Sequence, residues 1–170
     1  MAEYSNLEKI RLEKLEELRE SGVEPYPRRV ERTHTIAEAV EEFLSQEDGS
    51  GDQKVQAALT GRIRSLRPMG KITFADIEDS TGRIQIFFRA NDIGEEQVEF
   101  FNDYFDLGDF IEVQGKVFRT RTEEITLWIS SFRMLAKAVT PLPAAKDEVV
   151  DGEVVQHATL SDPETRYRQR

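Results

Sequence analysis

The chain has no cysteine, which excludes a disulfide framework, a thiolate nucleophile and a cysteine-ligated zinc site. Histidine is nearly as scarce. Its two copies, His34 and His157, lie far apart in the sequence, so neither a histidine metal site nor a Ser-His-Asp set is expected. Glycine-rich phosphate loops are missing, and the abundant carboxylates fall mostly on amphipathic helical segments. No catalytic residue, metal or cofactor of the chain's own is predicted. Apolar runs of about 18 residues do not occur, so no membrane-spanning helix is expected. Nor does the start resemble a signal peptide: Met1 to Arg11 alternates charged and apolar residues, and a cytoplasmic location is the expectation.

What remains is a chain of 170 residues, 33% charged and 38% hydrophobic, long enough for one core with appended arms. The formal net charge of −10 argues against a phosphate-binding surface. Its distribution argues the other way. Acidic residues crowd the first fifty positions and the tail, whereas Arg62, Arg64, Arg67 and Lys71 fall in a stretch free of acids, and Lys116, Arg119 and Arg121 form a second basic strip. These strips leave RNA binding open, at an affinity that should fall with salt.

Two helices are predicted first. Ser5-x-x-Glu8 and Thr35-x-x-Glu38 are capping boxes, in which each side chain satisfies a free backbone N–H of the first turn. Leu7, Ile10, Leu15 and Leu18 supply one apolar face, and Ile36, Val40, Phe43 and Leu44 the other. Gly22, Pro25 and Pro27 end the first helix near Ser21. The polar stretch Ser45 to Lys54 reads as a linker.

From Val55 the apolar period changes to two. Val55, Ala57, Leu59, Gly61 and Ile63 form one face of a first strand. The turn Asp79-Ser80-Thr81-Gly82 joins the next two, and pairing Asp79 with Gly82 sets Ile77 opposite Ile84, Ala75 opposite Ile86, Asp76 opposite Gln85 and Phe74 opposite Phe87. A single helix is expected over Asn91 to Tyr104, with Val98, Phe101 and Phe105 inward. Two more strands follow: one has Ile111, Val113, Gly115 and Val117 inward, and the other Ile125, Leu127 and Ile129. This β-β-β-α-β-β order, preceded by two helices, predicts a mainly β fold, the five-stranded OB barrel. The expected divisions are 1–54 for helices and linker, 55–136 for the barrel and 137–170 for a linker.

Barrels of this kind bind single strands across their second and third strands, stacking bases on aromatic rings and meeting base edges with polar groups. Phe74 and Gln85 share one side of the hairpin, and a glutamine amide offers both the donor and the acceptor that a uracil edge needs. Packing is the more usual role of a strand aromatic such as Phe74, a solvated face is the usual fate of isolated arginines, and from spacing alone Glu124 reads as an edge charge. Trp128 is expected to pack beneath the N-terminal helices. Two other functions also fit the residues: a generic single-strand binder and an oligomerisation or docking module.

Particular strings carry a resemblance. Pro25-Tyr26-Pro27, Thr33-His34, Gly61-Arg62, Arg67-Pro68-Met69-Gly70-Lys71, Asp79-x-x-Gly82-x-Ile84-Gln85, Asp106-Leu107-Gly108-Asp109, Pro141-Leu142-Pro143 and Arg166-Tyr167-Arg168-Gln169-Arg170, in this order, resemble the N-terminal region of bacterial-type class II lysyl-tRNA synthetases. The aspartyl and asparaginyl enzymes share the Phe and Gln pattern, while the two-helix extension favours the lysyl branch. The resemblance implies that the barrel binds the anticodon loop of tRNA(Lys), with Phe74 stacking, Gln85 reading the central uridine and Arg67 beside that base. Arg62 and Lys71 would grip the loop. It also implies an acid of the last hairpin in a Gly-Glu context; this falls on Glu124 with Glu123 in the glycine's place, and leaves the choice between the two open. Members of the family join lysine to tRNA with ATP and magnesium, as homodimers. The residues for that chemistry are expected outside this sequence.

Overall fold

The computed structural model describes residues 4–47, 55–140, 146–150 and 153–157. The linker from Asp48 to Lys54, the Pro141-Leu142-Pro143 string and the closing Arg166 to Arg170 string lie outside the described residues. The chain forms two units, 1–139 and 140–170.

In the first unit, helix α1 spans Asn6–Glu20 and helix α2 Ile36–Glu47. Both capping boxes form. Ser5 Oγ accepts from the Glu8 N–H at 3.3 Å while Glu8 accepts from the Ser5 N–H at 2.9 Å; Thr35 and Glu38 repeat the exchange at 3.3 and 2.7 Å. The helices bury narrower stripes than their apolar residues suggest. Leu15 and Leu18 are buried with Arg11, but Leu7 and Ile10 are about half exposed. In α2, Ala39 joins Ile36 and Phe43 in the core and Leu44 stays exposed. Arg11 wins its buried place by donating to the carbonyls of Ala138 at 2.8 Å and Leu107 at 3.1 Å, a hydrogen-bonding capacity no leucine has. Burial of Phe43 stabilises the docking of α2 by roughly 1.5–3 kcal/mol.

Five strands close the barrel: β1 Gln56–Met69, β2 Ile72–Glu78, β3 Arg83–Arg89, β4 Phe110–Arg119 and β5 Ile125–Ala136, in the order β1-β2-β3-β5-β4. The β2–β3 register is the one the turn predicts, with Ile77 on Ile84, Asp76 on Gln85 and Phe74 on Phe87. Inward residues Leu59, Ile63, Ala75, Ile77, Ile86, Ile111, Val113, Val117, Leu127 and Ile129 are all essentially buried. Asp79 binds two elements together. Its carboxylate accepts from Ile36 N–H at 3.0 Å, at the start of α2, and from Thr81 and Gly82 N–H at 2.7 and 3.0 Å in the hairpin turn.

The helix expected between the third and fourth strands is two helices, α3 Ala90–Ile93 and α4 Glu95–Tyr104. Gly94 separates them at φ 95°, a backbone conformation that side-chain-bearing residues rarely adopt and that no α-helix contains. Lys137 anchors the far end of the barrel. Fully buried, it pairs with the buried Asp109 at 2.8 Å and also with Asp106, which Lys14 of α1 reaches at 3.0 Å.

The second unit contains an antiparallel pair, β6 Lys146–Val150 and β7 Glu153–His157, where a linker was expected. The β-branched pairs Val149-Val150 and Val154-Val155 suit these strands.

Candidate nucleic-acid interface

Strand pairing arranges the outer residues of the barrel into rows. One runs Ser65, Asp76, Gln85, Thr126, Phe118 across β1, β2, β3, β5 and β4; the next runs Arg67, Phe74, Phe87, Trp128, Lys116. A bulge in β1 makes this possible. The register slips between Ile63 and Ser65; a strict alternation from Ile63 would turn Ser65 and Arg67 inward, and the extra residue re-aims them to the outer face.

Gln85 sits at the centre, 9% exposed. Its Nε2 donates to Glu124 Oε2 at 2.9 Å, and its Oε1 accepts from the Thr126 hydroxyl at 3.1 Å. An ionised carboxylate only accepts, so Glu124 fixes which end of the amide is nitrogen. One N–H and one lone pair remain for a ligand. Phe74 lies two positions along the hairpin, its ring centroid 4.9 Å from that of Phe87. Arg67 stands opposite Phe74 and donates to Asp76 at 3.2 Å, leaving about half of its side chain exposed; Asp76 is itself held by Ser65. Two adjoining clefts of about 430 and 350 Å³ share Arg67, Gln85 and Glu124 in their walls; Arg83 borders the first, and Phe74, Thr120 and Arg121 the second.

Of the six residues singled out from sequence, Arg67, Phe74, Gln85 and Glu124 are thus gathered around one depression. Arg62 and Lys71 are not among them. Arg62 stands between Glu78 of β2 and Phe110 of β4, with its guanidinium over the Phe110 ring at 4.6 Å, on the side of β1 away from the clefts. Lys71 lies in the β1–β2 turn, where it pairs with Glu95 of α4, and the pairing holds its ammonium above the ordinary lysine range. Of the two glutamates, Glu124 is the one that meets Gln85. Glu123 points its exposed side chain toward Arg119 at 3.6 Å and carries the backbone at φ 65°, the left-handed conformation that glycine adopts freely.

Trp128 corrects an expectation. It does not pack under the N-terminal helices but lies in the outer aromatic row, 5.7 Å from Phe87 and 5.8 Å from Phe118, with the Arg89 guanidinium 4.6 Å above it and its Nε1 donating to Asp92 at 3.0 Å. Parallel pairing with β3 supplies Phe87, antiparallel pairing with β4 supplies Phe118 and α3 supplies Asp92, so the indole needs no N-terminal helix to cover it. Sequence reading also missed Thr126 and Ser65 as groups that orient Gln85 and Asp76. Thr126 shares its alternation with Glu124, a signal that existed; its pairing with Gln85 is non-local and had none.

Comparison with known proteins agrees with this architecture. Residues 57–135 match the tRNA anti-codon family, an OB-fold nucleic acid binding domain. Over 168 residues, 99% of its length, the chain is 43% identical to a lysine–tRNA ligase of Methanoculleus marisnigri, 45% to one of Pelotomaculum thermopropionicum and 44% to one of Carboxydothermus hydrogenoformans. It spans about 30% of the length of these relatives. Residues 57–135 thus match an OB-fold nucleic acid binding domain of the tRNA anti-codon family, and the chain as a whole is similar to the N-terminal, anticodon-binding region of the lysine–tRNA ligases.

Proposed function

We propose that the outer face of β2, β3 and β5 binds the anticodon loop of tRNA(Lys) and that Gln85 reads the central uridine. The observation that carries this reading is the locked amide. Uracil presents an N–H between two carbonyl oxygens; cytosine presents an amino group and a bare ring nitrogen in the corresponding places. A freely turning glutamine would satisfy either edge. Held by Glu124 and Thr126, Gln85 offers its donor and its acceptor in fixed positions, and turning it over would set its oxygen against the Glu124 carboxylate. Phe74 supplies the stacking surface, worth about 1–3 kcal/mol per base. Arg67, steered by Asp76, supplies charge-assisted donors to a base oxygen or a phosphate.

Arg62 and Lys71 serve the loop as phosphate contacts at the margins, without touching the base. The chain acts within a cytoplasmic, homodimeric ligase that joins lysine to tRNA, with ATP and magnesium bound by a part of that protein outside these 170 residues. The side-chain amide resonances of Gln85 provide the test. They should shift on addition of an anticodon hairpin bearing UUU and stay in place with an unrelated duplex. Unmoved resonances at saturating hairpin would contradict the reading.

A further inference from the structure

The second outer row does not end at the proposed uridine site. Beyond Phe74 and Phe87 it continues to Trp128 on β5, Lys116 on β4 and Gln56 on β1. Trp128 stands two residues after Thr126, which at the rise of a strand is about 6–7 Å along β5, close to the spacing of successive bases in an extended strand. Beside the indole lies a separate cleft of about 260 Å³, walled by Gln56, Asp92, Lys116, Trp128 and Ser130.

Two features suit this cleft to a nucleotide. The indole is preset, because Asp92 holds its N–H and Arg89 covers one face, so little side-chain freedom is lost when a base meets it. Lys116 is exposed and has no ion pair among the described residues, and the same holds for Arg121 at the neighbouring cleft. Most other cations of this face are already engaged: Arg67 by Asp76, Arg83 by Glu78 and Arg89 by Asp92.

We infer that the Trp128 cleft is a second nucleotide site, which takes the base next to the central uridine against the indole and directs its phosphate toward Lys116. The inference rests on the anticodon reading above and extends it by one nucleotide. It commits the aromatic row to a path around the barrel, from β2 across β3 to β5.

Trp128 is the only tryptophan of the chain, so its emission reports on this cleft alone. The experiment titrates the chain with a fluorescein-labelled UUU hairpin, following the label for binding and the indole for occupancy. It then repeats the titration with hairpins abasic at one or the other neighbour of the central uridine. Binding should change the Trp128 emission. One abasic hairpin, and not the other, should abolish that change and bind at least roughly fivefold more weakly, the lower end of a lost stacking contact. Lys116→Gln, an exposed change that spares the core, should lower the salt slope by about 0.7. Label-detected binding that depends on Gln85, with indole emission unmoved and both abasic hairpins bound normally, would overturn the second site and leave the uridine site standing. Absence of any binding would overturn both.

Discussion

The two basic strips of this chain look alike in sequence and differ in the folded protein. In the first, Arg64 pairs with Glu78 at 3.4 Å, Arg67 with Asp76, Lys71 with Glu95, and Arg62 lies over Phe110. In the second, Arg119 reaches Glu123, while Lys116 and Arg121 have no such partner among the described residues. A cation already matched by an intramolecular carboxylate adds little field at the surface, whereas an unmatched one offers its full charge to a phosphate. Counting basic residues therefore ranks the first strip above the second; counting their partners reverses the order. On an acidic protein this distinction decides where a nucleic acid can lie.

The sharpest way to separate charges committed to the fold from charges left for a ligand is to remove one of each. Lys137→Ala leaves Asp109 buried without its cation and should destabilise the chain by about 3–5 kcal/mol, read from urea unfolding. Lys116→Gln should leave the same unfolding curve unmoved. Phe74→Ala comes next in size: it should weaken hairpin binding by about fivefold to 150-fold, matching about 1–3 kcal/mol of stacking, with a native-like circular dichroism spectrum.

Asp79 is a committed anion, and its effect depends on pH. Burial alone would raise its pKa, but hydrogen bonds from Thr81 and from the Ile36, Thr81 and Gly82 N–H groups outweigh that and hold it below its ordinary value. A depressed folded pKa means stability that is present above the unfolded value, near 4, and is lost as the pH falls through the folded one. Asp79→Ala should thus cost about 1–2 kcal/mol at neutral pH, the scale of a lost cap. Below about pH 4 the gap from the parent chain should narrow; a constant gap in denaturation at both pH values would show that the charge is not what matters.

Smaller effects test the margins. Glu123→Gly removes the left-handed strain and should raise stability by about 1 kcal/mol without altering RNA affinity, seen as a higher urea midpoint. Arg62→Ala, if the residue meets only a phosphate, should weaken every RNA sequence alike and lower the salt slope by about 0.7; loss confined to uridine-bearing hairpins would assign it a base instead.

Much of the architecture was legible because its signals are local. Two capping boxes, the change of period at Val55 and the four-residue turn after Glu78 define both helices, the strands and the hairpin register. That register already set Phe74 and Gln85 on one face. What the sequence did not disclose depends on contacts distant along the chain. The bulge after Ile63 that turns Arg67 outward, the parallel pairing that sets Thr126 and Trp128 beside β3, and the partners that occupy Arg62 and Lys71 all arise only when the barrel closes. Gly94 was a missed local signal, since a glycine inside a helical pattern marks a break. The grouping of Glu124 with Gln85 appears only in the folded protein: a resemblance left two neighbouring acids open, and Glu124 is the one that meets the Gln85 amide.

The proposed discrimination of uridine from cytidine rests on an amide locked by Glu124. It is tested most directly by the affinity ratio of a UUU hairpin to its UCU counterpart, measured at one salt concentration for the parent chain, Gln85→Ala and Glu124→Gln. A clear preference for UUU is expected in the parent, none in Gln85→Ala, and a much reduced one in Glu124→Gln, whose amide can face either orientation of its neighbour. Equal affinity of the parent chain for both hairpins, or a preference that survives Gln85→Ala, would contradict it.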